Sequence, residues 1–262
     1  MSNTNVSWSA LLSDAVNQPG ILSSAYSTFH QYSIGNQMLA YSQLAARGEQ
    51  LSPIATYAKW KALGRQVKKG AKALQLCMPV TITKKDEAGE KTGDCFQMFI
   101  LKNNWFAMSQ TEGEDYQHEQ VTPEWSKALA LSALGITEVS FDMMDGNCQG
   151  YATGKNIAVN PIAVLPHKTR FHELAQVVLG HTAEGTMSDD ERTPKSIREV
   201  EAESVAYICC SVLNLDGLTE SRGYIQNWLQ DGEISDKTAQ RIFGAAEKIL
   251  KAGKAKTETA AE

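Results

Sequence analysis

Residues 171–181 read FHELAQVVLGH. A His followed directly by a Glu on a helix is the first half of the H-E-x-x-H pattern of zinc hydrolases. Residues four apart on a helix lie one turn above each other, so position 172 and position 176 form the pair able to clamp one ion. His172 is there, but Gln176 stands where the second imidazole would be. Glu173 takes the place of the general base, the group that draws a proton from water beside a polarised carbonyl. Zinc sites that catalyse usually take three protein ligands and keep one position open. A neutral amide oxygen is a weak zinc ligand and adds no charge, so the set predicts weak or absent zinc.

The third ligand has to come from another helix. The segment IREVEAESVAY offers Glu199, Glu201 and Glu203. Glu199 and Glu203 are four apart and share a face, while Glu201 points elsewhere. Small residues at Ala202 and Ala206 let two helices approach closely. Glu199 is the candidate ligand. Glu203, one turn on, is placed to orient a ligating His from behind. His181 lies nine residues past His172, on the opposite side of an unbroken helix. If Gly180 stops the helix, His181 can fold back as a replacement ligand; otherwise it is a hydrogen-bonded His near a helix end. Two readings stay open: a fold retained with little or no peptidase activity, or a metal held through His181 or another group.

The elements that must carry these groups follow from pattern. Residues 6–48 have helical spacing, broken at Pro19–Gly20 and stopped at Gly48. A short helix is expected from Pro53 to Gly64. RQVKKGAKALQLCMPVTIT and CFQMFILKNNWFAMSQTEG are rich in Val, Ile, Thr and aromatics about the polar turn KKDEAGEKTGD, which predicts a hairpin. Residues 111–123 are polar without period and read as a linker. Beyond it come a helix over EWSKALALSALG, two short strands GYAT and NIAV around a Gly-Lys turn, the helix from Pro166, the acidic helix, and two closing amphipathic helices. The class is α+β, with one domain over 1–122 and a second over 123–262.

Five cysteines with no C-x-x-C exclude a disulfide framework and a cysteine zinc cluster. No apolar run approaches a membrane span, and MSNTNVSWSALL lacks the features of a secretory signal. A cytoplasmic protein without a membrane partner is expected. The net charge is -5, yet residues 20–85 hold nine basic residues against the single acid Glu49, so that window carries +8 and the rest -13. Lys59, Lys61, Arg65, Lys68, Lys69 and Lys72 cluster there, with Tyr57 and Trp60 between them. Cations can follow a phosphate backbone while aromatic faces stack on exposed bases. The alternative is a solvated basic face with Trp60 in the core. Asn36, Gln37, Asn103, Asn104 and Trp105 are further polar or stacking candidates, residue types that also cap, turn or pack.

Taken together, WSALL, YSIGNQMLA, WKALGRQVKKGAKAL, NNWFAMSQTEG, DGNCQGYATG, IAVNP, LPHKTRFHELA, VVLGHTAE, REVEAESVAY and RGYIQNWL resemble, in order, the ArdC family of plasmid antirestriction proteins. The resemblance implies a first domain that binds single-stranded DNA with little sequence preference and a second of zinc-metallopeptidase type, which together protect incoming conjugative plasmid DNA from restriction. It also implies His172 as first ligand, Glu173 as base and Glu199 as acidic ligand. The family pattern is H-E-L-A-H, from which this chain departs at Gln176. The expected function is therefore antirestriction through single-stranded DNA, with a zincin-like domain of little or no activity. One alternative is an active zinc metalloprotease acting on a peptide or protein through His172, Glu173 and Glu199. Another is a pure interaction protein docking on a restriction or conjugation protein.

Overall fold

The computed structural model describes residues 6–85, 91–118, 124–143, 147–182, 194–230 and 234–255. They fall into two compact units, one drawn from 1–27, 33–35 and 121–262, the other from 28–32 and 36–120. The unit changes between residues 120 and 121. The first 27 residues, however, group with the C-terminal segment rather than with the residues that follow them.

The smaller unit is built on a long hairpin of β3 (Leu74–Lys85) and β4 (Lys91–Ala107), with β1 (Ile54–Thr56) added antiparallel to β4. The sheet order is β1-β4-β3, so β3 is an edge. An open edge presents unpaired amide and carbonyl groups that invite another strand. Here α3 (Ile34–Ala46) covers part of it. Asn36 accepts from the Cys77 amide at 2.8 Å and donates to its carbonyl at 2.9 Å, and Gln43 does the same to Gln75 at 2.8 Å each. The two amides are seven residues apart, hence on one helix face, and their targets alternate along β3. Arg47 extends the line with bonds to the carbonyls of Lys72 and Ala73.

The segment after Pro53 begins as strand β1 and only then turns into α4 (Tyr57–Ala62), which Thr56 caps by accepting from the Lys59 amide. Within the stretch expected as linker, β5 (Thr111–Gly113) pairs antiparallel with β2 (Arg65–Val67). Residues 119–123 of that stretch lie outside the described residues.

The larger unit centres on α7 (Lys195–Val212), whose second half, VAYICCSV, is buried all round. A helix apolar on every face needs neighbours on every side. They are α6 (Pro166–Val178), α8 (Leu218–Gln230) and α9 (Asp236–Ala252). From the other end of the chain, α1 (Trp8–Asn17) packs on α8 and α9 and buries Leu11, Leu12, Ala15 and Val16. Tyr207 on α7 donates to the Val16 carbonyl at 3.2 Å. Asp236, at the start of α9, accepts from the Ser9 amide at 2.9 Å and from its hydroxyl at 2.8 Å.

A small sheet of order β6-β8-β7 backs α6: β6 (Thr137–Glu138) runs parallel to β8 (Asn156–Val159), and β7 (Gly150–Thr153) antiparallel to it. Its β7–β8 turn contains Gly154 and Lys155, and α5 (Lys127–Leu134) leads into β6. Arg170 on α6 reaches both oxygens of Glu138 on β6, at 2.9 and 3.1 Å. Such a two-pronged bond fixes direction as well as distance.

Candidate metal centre

Helix α6 buries Phe171, Leu174 and Ala175, a set spaced i, i+3, i+4 that turns one stripe inward. His172 and Gln176 are thereby carried on a neighbouring stripe, and α7 faces it. His172 Nε2 lies 3.3 Å from Glu199 Oε2. The amide nitrogen of Gln176 lies 3.3 Å from His172 Nε2 and 3.1 Å from Glu199 Oε1. Groups that ligate one ion at zinc-like distances in a tetrahedral arrangement sit about 3.4 Å apart. His172 and Glu199 are therefore spaced as two ligands of one ion, with the Gln176 amide nitrogen hydrogen-bonded beside them. Among the described residues no group of three or more His, Cys, Asp or Glu side chains makes such a site. Here the pair is His172 and Glu199, and the Gln176 oxygen is taken up by His181 Nδ1 at 2.8 Å.

Behind His172, its Nδ1 is 3.2 Å from Glu203 Oε2, and Lys168 Nζ is 2.7 Å from the other oxygen of Glu203. Burial pushes the Glu203 carboxyl up, but hydrogen bonds from His172, Lys168 and Ser221 outweigh it and bring it down to about 2. Burial likewise opposes charge on His172, yet hydrogen bonds to Glu199 and Glu203 raise it to about 9. The hydrogen bond from His172 also lowers Glu199. Glu173 moves the other way. Burial drives it up to about 7, against the pull of His172 and with a push from Glu199. A carboxyl that titrates near neutrality is matched to proton transfer at neutral pH.

Gly150 makes that burial compatible with the sheet. A Cβ there would come 2.6 Å from the Thr169 methyl, 2.9 Å from the Ala158 carbonyl oxygen and 3.1 Å from Glu173 Oε1. Strand β7 can pass this close to α6 only without a side chain at that point. Two cavities border the site, one of about 510 Å³ lined by Cys148, Val164, Lys168, His172, Glu173 and Glu203. The other, of about 480 Å³, is lined by Tyr151, His172, Gln176, His181, Lys195 and Glu199.

The helix stops as its Gly suggests. Gly180 has φ +80°, its amide bonds the Val177 carbonyl at 3.0 Å, and the His181 amide bonds the Gln176 carbonyl at 2.9 Å. This glycine-terminated double bond closes a helix and reverses the chain. His181 is thereby folded back, but onto Gln176 rather than into the first ring of donors. Its Nδ1 is 2.8 Å from Gln176 Oε1, and its Nε2 is 2.8 Å from Glu201 Oε2.

The family model of the N-terminal domain of anti-restriction factor ArdC matches residues 6–123. Residues 6–123 belong to the family of ArdC N-terminal domains. The metal-free crystal structure of the antirestriction ArdC protein from plasmid R388 is similar with a TM-score of 0.53 and 22% identity, covering 94% of each chain. The Mn(II)-bound structure of that protein gives a TM-score of 0.57 at 18% identity, covering 96% of this chain and 98% of that one. At these identities the likeness shows the fold, and it runs through both units of the chain. Among curated proteins none matches this chain.

In the domain that the family model covers, the basic residues divide by role. Lys59, Lys61, Lys68, Lys69 and Lys72 are exposed, although Lys68 Nζ also donates to the Ser109 carbonyl at 3.0 Å. Arg65 is half-buried and clamps β5, donating to the Thr111 hydroxyl at 2.8 Å and to the Glu114 carbonyl. Trp60, expected as a stacking face, is placed otherwise. It is 1% exposed, donates to the Phe106 carbonyl at 2.8 Å and meets Tyr116 edge-on at 5.5 Å. Its position on α4 faces inward, and Tyr57, 44% exposed, is the aromatic left outside. Of the other polar and aromatic candidates, Asn36 is turned to β3, Gln37 is buried and donates to the Tyr32 carbonyl, and Trp105 is buried. Asn103 is exposed and Asn104 half-buried.

Sequence reasoning did not find Glu201, Lys168 or Arg241 as parts of the centre. Glu201 is 0% exposed, and its second oxygen takes a bond from Arg241 at 3.0 Å. A Glu on the helix face opposite a candidate ligand gives no signal until the partner from α9 is in place. The alternation Glu199, Glu201, Glu203 was visible, but which residue served which neighbour was not.

Proposed function

We propose that the whole chain is an ArdC-type antirestriction factor of the cytoplasm whose first domain binds single-stranded DNA. The observation that carries the reading is the set of exposed cations, Lys59, Lys61, Lys69 and Lys72, on a domain matched by the ArdC N-terminal family model. They lie on and around α4 and β2, with Tyr57 exposed on the same short helix. Cations on a flexible stem neutralise phosphates without reading bases, so little sequence preference is expected. Binding would coat incoming plasmid strands. Fluorescence anisotropy with single- and double-stranded oligonucleotides tests this. Salt-sensitive binding to single strands is expected, and a preference for duplex, or no binding, would overturn it.

A second reading concerns the other unit and is favoured by the donor set on α6 and α7. His172, Gln176 and Glu199 form a divalent-cation site of metallopeptidase type, a reading supported by the Mn(II)-bound structure of the R388 protein. A bound cation would supply polarisation of a carbonyl. On this reading Glu203, itself paired with Lys168, holds His172 from behind, and Glu173, raised by burial to about 7, is poised to accept a proton. With an amide in place of one imidazole, zinc is held weakly and peptidase turnover is low or absent. Isothermal titration of the native chain with Zn(II) and Mn(II), beside a protease assay, tests it. Tight stoichiometric zinc with turnover abolished by Glu173→Gln would instead establish an active enzyme.

A further inference from the structure

Among the described residues, the two most exposed large apolar side chains stand on one short loop between β8 and α6. Ile162 is 78% exposed and Val164 83%. Single apolar side chains in solvent are ordinary, and a loose loop could turn them in or out. This loop is held. The buried Asn160 accepts from the Ile162 amide at 3.0 Å and donates from its side chain to the Cys148 carbonyl at 2.9 Å. The Ala163 amide bonds the Asn160 carbonyl at 2.9 Å, and Gln149 Oε1 accepts from the Val164 amide at 3.1 Å. Leu165 then packs against the start of α8, where a Cβ on Gly217 would come 2.6 Å from its Cδ1. The backbone that turns Ile162 and Val164 outward is thus fixed before any partner arrives, and a preformed surface loses little freedom on binding.

The neighbourhood says what kind of partner fits. Val164 and Leu165 line the cavity of about 510 Å³ that also carries His172 and Glu173. Three carboxyls, Glu173, Glu203 and Glu220, line it against one lysine, Lys168. That lysine is taken up by Glu203 at 2.7 Å, and His172 is held between Glu199 and Glu203. Glu220 is exposed on the first turn of α8. Phosphates would be repelled by such a lining, whereas a cationic side chain would be drawn to it. An aliphatic rim beside an acidic cavity matches a polypeptide that is both apolar and basic.

We infer that the Ile162–Val164 loop is a docking edge for an extended polypeptide entering this cleft, selecting segments in which an apolar side chain adjoins a lysine or arginine. The inference rests on the peptidase-type reading of the cleft, whose substrate class it names. Docking needs no turnover, so the two can fail separately.

Fluorescence anisotropy of the full chain with a labelled peptide of repeated Leu-Lys-Ser tests it, in chelator and again in Mn(II), with cleavage followed on the same samples. Peptides of repeated Ser-Lys-Ser and Leu-Glu-Ser are the comparison. The first peptide is expected to bind about tenfold more tightly than either of the others, the usual effect of burying one aliphatic side chain or of pairing a charge. Ile162→Ser together with Val164→Ser should weaken it about tenfold or more. Glu220→Gln should weaken it less and flatten its dependence on salt. All three side chains are exposed, so thermal melts of these variants should match the native chain. Equal affinity for the three peptides, no binding, or a double variant that binds as the native chain does would overturn the inference. Binding that depends on Ile162 and Val164 in a chain that holds no cation and cuts no peptide would sink the peptidase chemistry and support the docking edge. Cleavage with affinity indifferent to both residues would do the reverse. Sedimentation covers the other occupant: a native dimer dissociated by the double change would assign the loop to a second copy of the chain and overturn the inference.

Discussion

Gln176 is the residue on which the proposed metal chemistry of the C-terminal unit turns. It sits one helical turn from His172, within 3.3 Å of it and 3.1 Å of Glu199, yet brings a neutral amide where an imidazole would bring a stronger ligand. Gln176→His should raise zinc affinity by on the order of tenfold or more, because imidazole suits zinc and an amide does not. Competition with a chromophoric chelator measures it, and an unchanged affinity would mean that Gln176 is not at the cation. In the other unit, Trp60 marks the same lesson from the opposite side. Its neighbours are a carbonyl and a tyrosine edge, not solvent. Trp60→Ala should cost about 3–5 kcal/mol of stability, as deletions of buried aromatics do. Denaturant unfolding reads that loss; a variant as stable as native that merely loses DNA would return Trp60 to the surface.

At the scale of elements, the end of α6 decides where His181 goes. Gly180, at φ +80°, takes a conformation that strains any residue with a Cβ. Gly180→Ala should destabilise by about 1 kcal/mol. A thermal melt checks it, and an unchanged melting temperature would mean that the end of α6 tolerates a Cβ. The joint between α1 and α9 carries a pH signature. Hydrogen bonds from the Ser9 amide and hydroxyl lower the Asp236 carboxyl below its ordinary 3.8. A lowered folded value means that the stabilisation is fully present above the unfolded pKa and is lost as pH falls through the folded one. Asp236→Ala should therefore melt below the native protein at neutral pH, with the gap closing in strong acid. A gap that persists there would assign the effect to packing instead.

For the whole molecule, the linear and the spatial divisions of the chain differ. The ArdC family model ends at residue 123, but α1, inside that match, belongs to the same compact unit as α7, α8 and α9. A fragment beginning at residue 123 would lack Leu11, Leu12, Ala15 and Val16, each at most 5% exposed. It is expected to lack cooperative unfolding by circular dichroism, whereas a fragment that melts sharply would show α1 to be dispensable. The proposed DNA surface belongs to the other unit. Replacing Lys59, Lys61, Lys69 and Lys72 by Gln should weaken single-strand binding and flatten its dependence on salt. The log–log slope should fall by about 0.7 for each phosphate that is no longer neutralised. Mn(II) affinity should stay as it was.

Much of this protein is legible in the chain itself, because the signals are local. Apolar residues spaced i, i+3, i+4 set α6 on its stripe, and the β-branched and aromatic runs about a polar turn make the β3–β4 hairpin. Pro166 opens α6 and Gly180 closes it. The pair His172–Glu173 and the alternating glutamates of α7 mark the candidate centre. What escapes is everything that depends on a partner distant in sequence. Trp60 turns inward because Phe106 and Tyr116 come to meet it. The stretch after Thr111 becomes a strand because β2 lies beside it. Glu201 acquires a role only when α9 brings Arg241 to it. Hydrophobic period and helix caps act within a few residues and can be read in order, whereas a buried hydrogen bond needs both ends, and only the folded chain brings them together.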